Sequence, residues 1–230
     1  MQTLARHMLI SAVLLGLFAM AGTGLVAMTH QATDERIARN ERRALLESLH
    51  TLIDPSEHDN DLFHDRIEVT DPERLGTGEP VSVYRAREDG EPVAVVLTPV
   101  APDGYGGPIR LLVAVERDGT LKGVQVLSHH ETPGLGDKIE AKKSDWLEQF
   151  PGRSLGNPPS EDWKVEKDGG VFDQFTGATV TPRAVVEAVY NTLQYYDRHR
   201  TALFERDYEE QIAEHEADES EDDDTHDDDD

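Results

Sequence analysis

The chain has 230 residues, with 47 Asp and Glu against 22 Lys and Arg, a formal net charge of −25 and no cysteine. That length suits one ordinary domain with extensions. The acidic balance argues against nucleic acid as a partner, since binding it needs clustered cations, and the lack of thiols excludes disulfides and thiolate metal sites.

The run from Met8 to Met28, MLISAVLLGLFAMAGTGLVAM, holds no charged residue. It is long enough to cross a bilayer as a helix, which takes about 20 apolar residues. A cleaved signal peptide competes with a retained anchor, but its apolar core is usually shorter and ends at a small-x-small site. AMA and LVAM match such a site poorly, so a retained transmembrane anchor over residues 1–30 is the favoured reading. Arg6 precedes the span, and Asp34, Glu35, Arg36 and Arg39 follow it. This weak bias expects the N-terminus inside and the bulk outside. In a bacterium that is a single-pass inner-membrane protein with its bulk in the periplasm.

Beyond the span, Ile37, Leu45, Leu46, Leu49 and Leu52 recur at helical spacing until Pro55, so residues 31–59 read as a helical stalk and linker. Alternation then takes over. VSVYRA and VAVVLTPV flank the turn signal DGEP, and IRLLVAVE and LKGVQVLSH flank RDGT, predicting two hairpins. A glycine-rich loop, APDGYGGP, separates them. Ile139, Trp146, Leu147 and Phe150 lie at helical spacing with Ser144 placed to cap, WKVEK reads as a short strand, and Asp168-Gly169-Gly170 as a turn. From Thr181 to about Phe204 a helix is predicted, with Thr181 as cap, Pro182 at its first position and Val185, Val189, Leu193 and Tyr196 as its apolar stripe. The expected fold is an α+β domain over 60–205, an antiparallel sheet with packed helices, behind one N-terminal transmembrane helix. Residues 206–230, with no Lys or Arg after Asp207 and ending ADESEDDDTHDDDD, are predicted to be a disordered acidic tail.

Two stretches can carry chemistry. DQFTGATVTPRAV, Asp173 to Val185, places Thr176, Gly177, Ala178 and Thr179 before a helix start. Small residues there let a ligand approach the backbone, and the positive end of the helix attracts phosphate. On spacing alone, ordinary helix-entrance punctuation explains it as well. SHHETPGLGDKIE, Ser128 to Glu140, gathers Gly134 and Gly136 around Leu135, with Glu131 and Thr132 polar beside them. It can receive a flat ligand or simply join a strand to a helix. It lacks G-x-G-x-x-G and so is no dinucleotide fingerprint. His129 and His130 face opposite ways on a strand, which disfavours a shared metal.

DQFTGAT resembles the flavinylation motif, and together with HHETPGLGDKIE, DGGVFDQFTGATVTPRAVV and APDGYGGPIRLLVAVERDG it resembles the G subunits of the Rnf (also called Rsx) electron transport complexes. The likeness covers most of the chain and leaves out the acidic tail. It implies a membrane-anchored electron carrier with an FMN-binding domain, FMN being bonded through its phosphate to Thr179. It also implies that a magnesium-dependent flavin transferase, using FAD, reads Asp173, Thr176, Gly177, Ala178 and Thr179. Glu131, Thr132, Gly134, Leu135 and Gly136 would line the isoalloxazine ring, with Thr176, Gly177 and Ala178 beside the cofactor. No metal site and no residue catalytic on its own is expected. The implied partners are the A, B, C, D and E subunits of a complex that passes electrons between ferredoxin and NAD and moves ions. Alternatives are the C subunit of a sodium-translocating NADH:quinone reductase, a non-redox membrane-anchored binding module, or a threonine hydrolase. The last needs a base near Thr179, and no His lies close in sequence.

Overall fold

The computed structural model of this chain describes residues 2–205, and the acidic tail expected over 206–230 lies outside the described residues. Helix α1, Gln2–Leu52, runs through both the apolar span and the predicted stalk. The structure divides into two units between Leu45 and Leu46. In the first unit, Arg6–Gly24 is long and apolar enough to cross a membrane. Leu14, Leu15, Leu17, Phe18 and Met20 are exposed along it, a density of bare apolar side chains that suits lipid better than water.

The second unit is built on a six-stranded antiparallel sheet. Its strands are β1 (Arg66–Val69), β2 (Val81–Glu88), β3 (Glu91–Leu97), β4 (Val100–Ala101), β5 (Ile109–Glu116) and β6 (Leu121–Ser128). Both predicted hairpins form. Asp89 and Gly90, at φ 52° and 79°, make the doubly left-handed turn that matches strand twist, which is why Asp-Gly closes β2 onto β3. In β5, Leu97 of β3 pairs with Val113 and Val100 of β4 with Arg110 along one edge. Strand β6 takes the other edge, from Val115 opposite Leu121 to Arg110 opposite Ser128.

Both sheet faces are covered. Helix α2, Pro72–Leu75, is a single turn after β1, and α3, Val180–Glu205, packs on β4 and β5. The predicted stripe Val185, Val189, Leu193 and Tyr196 is buried there with Val83, Val95, Leu111, Val113 and Val115. Burial pushes the Tyr196 hydroxyl up to about 12, so it stays protonated and donates to the Arg117 carbonyl at 3.1 Å. On the opposite face, Ala114 and Gly123 are cross-strand partners. A Cβ on Gly123 would lie 2.7 Å from Leu52 Cδ2, so the last turn of α1 sits over this face, with Leu49 buried beside it.

Two predicted elements differ. The helix expected over 139–150 is two separate 3-10 turns, Gly136–Ile139 and Trp146–Gln149. The amides of Lys143 and Ser144 both return to the Glu140 carbonyl, at 2.9 and 3.2 Å, and the Ser144 hydroxyl donates to the Lys138 carbonyl at 2.5 Å. That side-chain bond competes with a continuous helix. Ile139, Trp146, Leu147 and Phe150 are nonetheless buried. WKVEK forms only a single bridge, Val165 to Phe172, followed by a 3-10 turn at Glu166–Asp168.

An ion network that the sequence pattern did not reveal ties the far end of the sheet. Arg85, 1% exposed, donates through Nε and Nη2 to Asp65 Oδ1, each at 2.5 Å. Arg87 Nε reaches the other oxygen of Asp65 at 2.9 Å, and its Nη2 donates to the Phe204 carbonyl at 2.8 Å. Asp65 therefore neutralises a buried guanidinium and holds Arg87, which in turn links β2 to the end of α3. Removing one partner of a buried pair strands the other charge. Asp65→Ala is expected to lower the unfolding free energy by about 3 kcal/mol, measured by urea denaturation. Arg87→Met, whose charge is only partly buried, should lose less.

Candidate functional site

Phe175 is buried, with its ring 5.4 Å from that of Trp146. The Trp146 indole donates to the Asp173 carbonyl at 2.7 Å, and the Asp173 amide donates to Gln149 Oε1 at 2.8 Å. The chain is thus clamped before it turns. The Ala178 amide then returns to the Phe175 carbonyl at 3.1 Å, closing a turn with Thr176 and Gly177 exposed at its tip. Gly177 has φ 82°, which a residue with a Cβ adopts only with strain. The side chain of Asp173 is exposed and Ala178 is half-buried.

Helix α3 begins earlier than expected. Thr179, not Thr181, is its cap position. The Thr179 carbonyl accepts the Arg183 amide at 3.3 Å, and Pro182 is the third helical residue rather than the first. Pro182 is still harmless there, because the first turn has no intrahelical partners for its N–H groups. Thr181 is turned inward, 0% exposed, and its hydroxyl donates to Glu131 Oε2 at 2.5 Å. Thr179 is half-exposed, and among the described residues its hydroxyl makes no hydrogen bond.

Glu131 joins three segments. Beyond Thr181, its Oε1 accepts the Gly106 amide at 3.0 Å, and its own amide donates to His129 Nδ1 at 3.0 Å. Nδ1 being an acceptor, the proton of neutral His129 sits on Nε2, which lies 3.0 Å from Glu140 Oε1. The carboxylate is 5% exposed, so these partners replace the water it has lost. Glycines make the room. A Cβ on Gly136 would lie 2.5 Å from Glu131 Oε2 and 2.7 Å from Thr181 Oγ1, and one on Gly106 would lie 1.9 Å from the His130 carbonyl oxygen.

The loop between Glu131 and Gly136 points outward. The Leu135 amide donates to the Thr132 carbonyl at 3.1 Å, with Pro133 and Gly134 as the turn residues and Gly134 at φ 80°. Thr132, Gly134 and Leu135 are exposed, whereas the open side of Gly136 is filled from within. A Lys143 ammonium lies 2.8 Å from Asp137 Oδ2 and 2.6 Å from Glu140 Oε1. Its hydrogen bonds hold both carboxyls below their ordinary range and push the lysine up. Across the helix start, Asp168 grips the Arg183 guanidinium with two hydrogen bonds, 2.6 and 2.9 Å. That contact lowers the Asp168 carboxyl and raises Arg183.

The structure therefore brings Thr176, Gly177, Ala178 and Thr179 into one turn, and Glu131, Thr132, Gly134, Leu135 and Gly136 into the loop beside it. These residues fit an FMN phosphate on Thr179. The hydroxyl is accessible and unengaged, the adjoining helix end offers free N–H groups and positive potential, and added atoms at Gly134 or Gly177 would meet nothing within 4 Å. Sequence reading missed Thr181 as the inward partner of Glu131 and the role of Gly104 and Gly106. The glycine spacing of GYGG was the one available signal.

Comparison with known proteins covers the same segments. The family model described as FMN-binding domain matches residues 104–194, and the one described as RnfG N-terminal region matches residues 1–52. The chain is 50% identical over 198 residues to the G subunit of the ion-translocating oxidoreductase complex of Pseudomonas aeruginosa, covering 86% of this chain and 92% of that protein. It is 47% identical over 201 residues to the protein of the same name from Shewanella loihica, covering 87% and 95%. Among solved structures it is similar to NqrC of Shewanella oneidensis, at 27% identity and a TM-score of 0.38 over 60% of this chain and 75% of that one.

Two outcomes test the frame. Gly106→Ala must push backbone against backbone at His130, so it should lower the melting temperature and expose the loop around Leu135 to protease. Asp137 and Glu140 have ordinary values of 3.8 and 4.5 and are lowered in the fold. Their contribution is complete above those values and is lost as pH falls through the folded ones. Amide-exchange protection of residues 137–144 should therefore decline below about pH 4.5 in the native chain. In Lys143→Met, protection should be weaker already at neutral pH and its acid decline flatter.

Proposed function

This chain belongs to the family of G subunits of ion-translocating oxidoreductase complexes, and we propose that it carries one FMN joined through its phosphate to the Thr179 hydroxyl. The observation that carries this reading is the state of Thr179, half-exposed and unengaged at the cap of α3, directly after an exposed turn. A phosphodiester there keeps a negative charge, which the helix end stabilises by about 0.3–1 kcal/mol. Bound FMN supplies reversible electron transfer at its isoalloxazine ring.

The rest falls to the chain's own residues. Asp173, Thr176 and Gly177 stand exposed, where a flavin transferase reads them and brings FAD to Thr179. Transfer from FAD would join the Thr179 oxygen to the phosphorus of the FMN half as the pyrophosphate link breaks, with AMP as the leaving group and the hydroxyl proton released. Thr132, Gly134 and Leu135 border the ring. Glu131 and Gly136 fix the loop from inside, because their contacts run to Gly106 and Thr181. A tether makes ring docking intramolecular, at an effective concentration reaching about the millimolar range.

The reading extends to the cell. Residues 1–30 anchor the chain in the inner membrane, 31–59 form the stalk and linker, 60–205 are the periplasmic FMN domain, and 206–230 are an acidic tail. In a complex with A, B, C, D and E subunits it relays electrons between ferredoxin and NAD while ions are translocated. The 50% identity to a relative of that complex type supports this over the quinone-reductase alternative.

Coexpression of the full chain with a flavin transferase should give a band fluorescent on a denaturing gel under ultraviolet light, and an intact mass raised by one FMN less one water. Thr179→Ala should abolish both. A matured wild-type chain of bare peptide mass, or a flavin on another residue, would refute the reading.

A further inference from the structure

Among the described residues of the second unit, Tyr105 is the most exposed large apolar side chain, at 74%. Its backbone is the opposite of loose. Gly106 donates to Glu131, and the Gly107 amide returns to the Gly104 carbonyl at 3.2 Å. A Cβ on Gly104 would lie 2.3 Å from the Gly107 carbonyl oxygen and 2.8 Å from Glu131 Oε1. A segment packed too tightly for a methyl group on either side of Tyr105 presents its one large ring to solvent. Folding gains nothing from that exposure, and burial would have been favourable.

The position of the ring points to an occupant. The same Glu131 carboxylate that holds Gly106 holds Thr181, two residues after Thr179. Tyr105 and the flavin acceptor thus sit on one frame, separated by two hydrogen bonds and one side chain. Leu135, 45% exposed, lies in the third segment of that frame, and Val180, 41% exposed, follows the acceptor directly. Three bare apolar side chains stand on the segments that the Glu131 carboxylate joins.

We infer that Tyr105 is the aromatic face on which the isoalloxazine of the Thr179-linked FMN stacks, with Leu135 and Val180 as its apolar edges. This rests on the covalent-FMN reading above. Offset stacking places an electron-rich phenol against an electron-poor ring. A phenol in that position quenches flavin emission by photoinduced electron transfer, a signature that a merely structural tyrosine does not produce.

The test uses the full chain matured with the transferase, in detergent, with intact mass measured first. A wild-type chain lacking FMN on Thr179 overturns the covalent reading itself. With FMN present, native emission is expected to be several-fold below that of the urea-unfolded chain. Tyr105→Leu should raise native emission several-fold, lower flavin anisotropy, and leave both the attached mass and the melting temperature unchanged. Tyr105→Trp should keep the quenching. Equal emission and anisotropy in wild type and Tyr105→Leu, with FMN on Thr179 in both, overturn the stacking inference alone. So does an outcome in which only copurification with the rest of the complex weakens, since Tyr105 would then belong to a partner surface.

Discussion

The carboxylate of Glu131 is the contact on which this site depends. One oxygen holds the Gly106 amide and the other the Thr181 hydroxyl, so three segments distant in sequence are fixed to one buried group. A buried carboxylate is costly unless hydrogen-bonded, and both of its oxygens are satisfied. The glycines follow from it. Gly104 and Gly136 sit where a Cβ would strike Glu131 itself, and Gly106 where one would strike the backbone beside it. They make space for the carboxylate, while Gly134 and Gly177 leave their open sides toward solvent.

Sheet topology delivers the three segments to one end. Strand β5 starts at Ile109, just after the Tyr105 loop, and β6 ends at Ser128, just before Glu131; Arg110 and Ser128 are partners. Helix α3 lies along the sheet with its start at Glu131 and its later turns at Arg117, where Tyr196 donates. The Arg85–Asp65–Arg87 network and the Phe204 carbonyl lie toward its other end. One end of the domain is therefore locked by ion pairs. The other is locked by a single hydrogen-bonded carboxylate beneath exposed loops.

Local signals were legible and distant ones were not. Both hairpins follow from alternation and Asp-Gly turns, and the buried stripe of α3 from its spacing. The stretch from 137 to 150 shows the limit. Ile139, Trp146, Leu147 and Phe150 are buried as their spacing implies, but Ser144 and Glu140 take the backbone into short turns. Spacing reports which residues face a core, not which backbone carries them there. The Glu131–Thr181 bond spans fifty positions, and no single sequence reveals that pairing. Reading Thr181 as a helix cap failed for this reason: its hydroxyl had a better acceptor elsewhere.

The electrostatics of the helix start set what the site can hold. The nearest cation in sequence, Arg183, is already bound by both oxygens of Asp168, and a guanidinium so engaged offers little to a second anion. A phosphate on Thr179, as proposed, would therefore meet mainly backbone N–H groups. Those donors are fixed when the helix forms and need no rearrangement on loading. Phe175, Trp146 and Gln149 clamp the preceding chain, so the acceptor keeps its place while the Thr176–Gly177 tip stays open to an enzyme. On the proposed reading, rigidity beneath and exposure above would let one threonine first be reached by a transferase and afterwards hold its cofactor at a fixed distance from a neighbouring redox partner. A looser tether would leave that distance, and with it the rate of electron transfer, to chance.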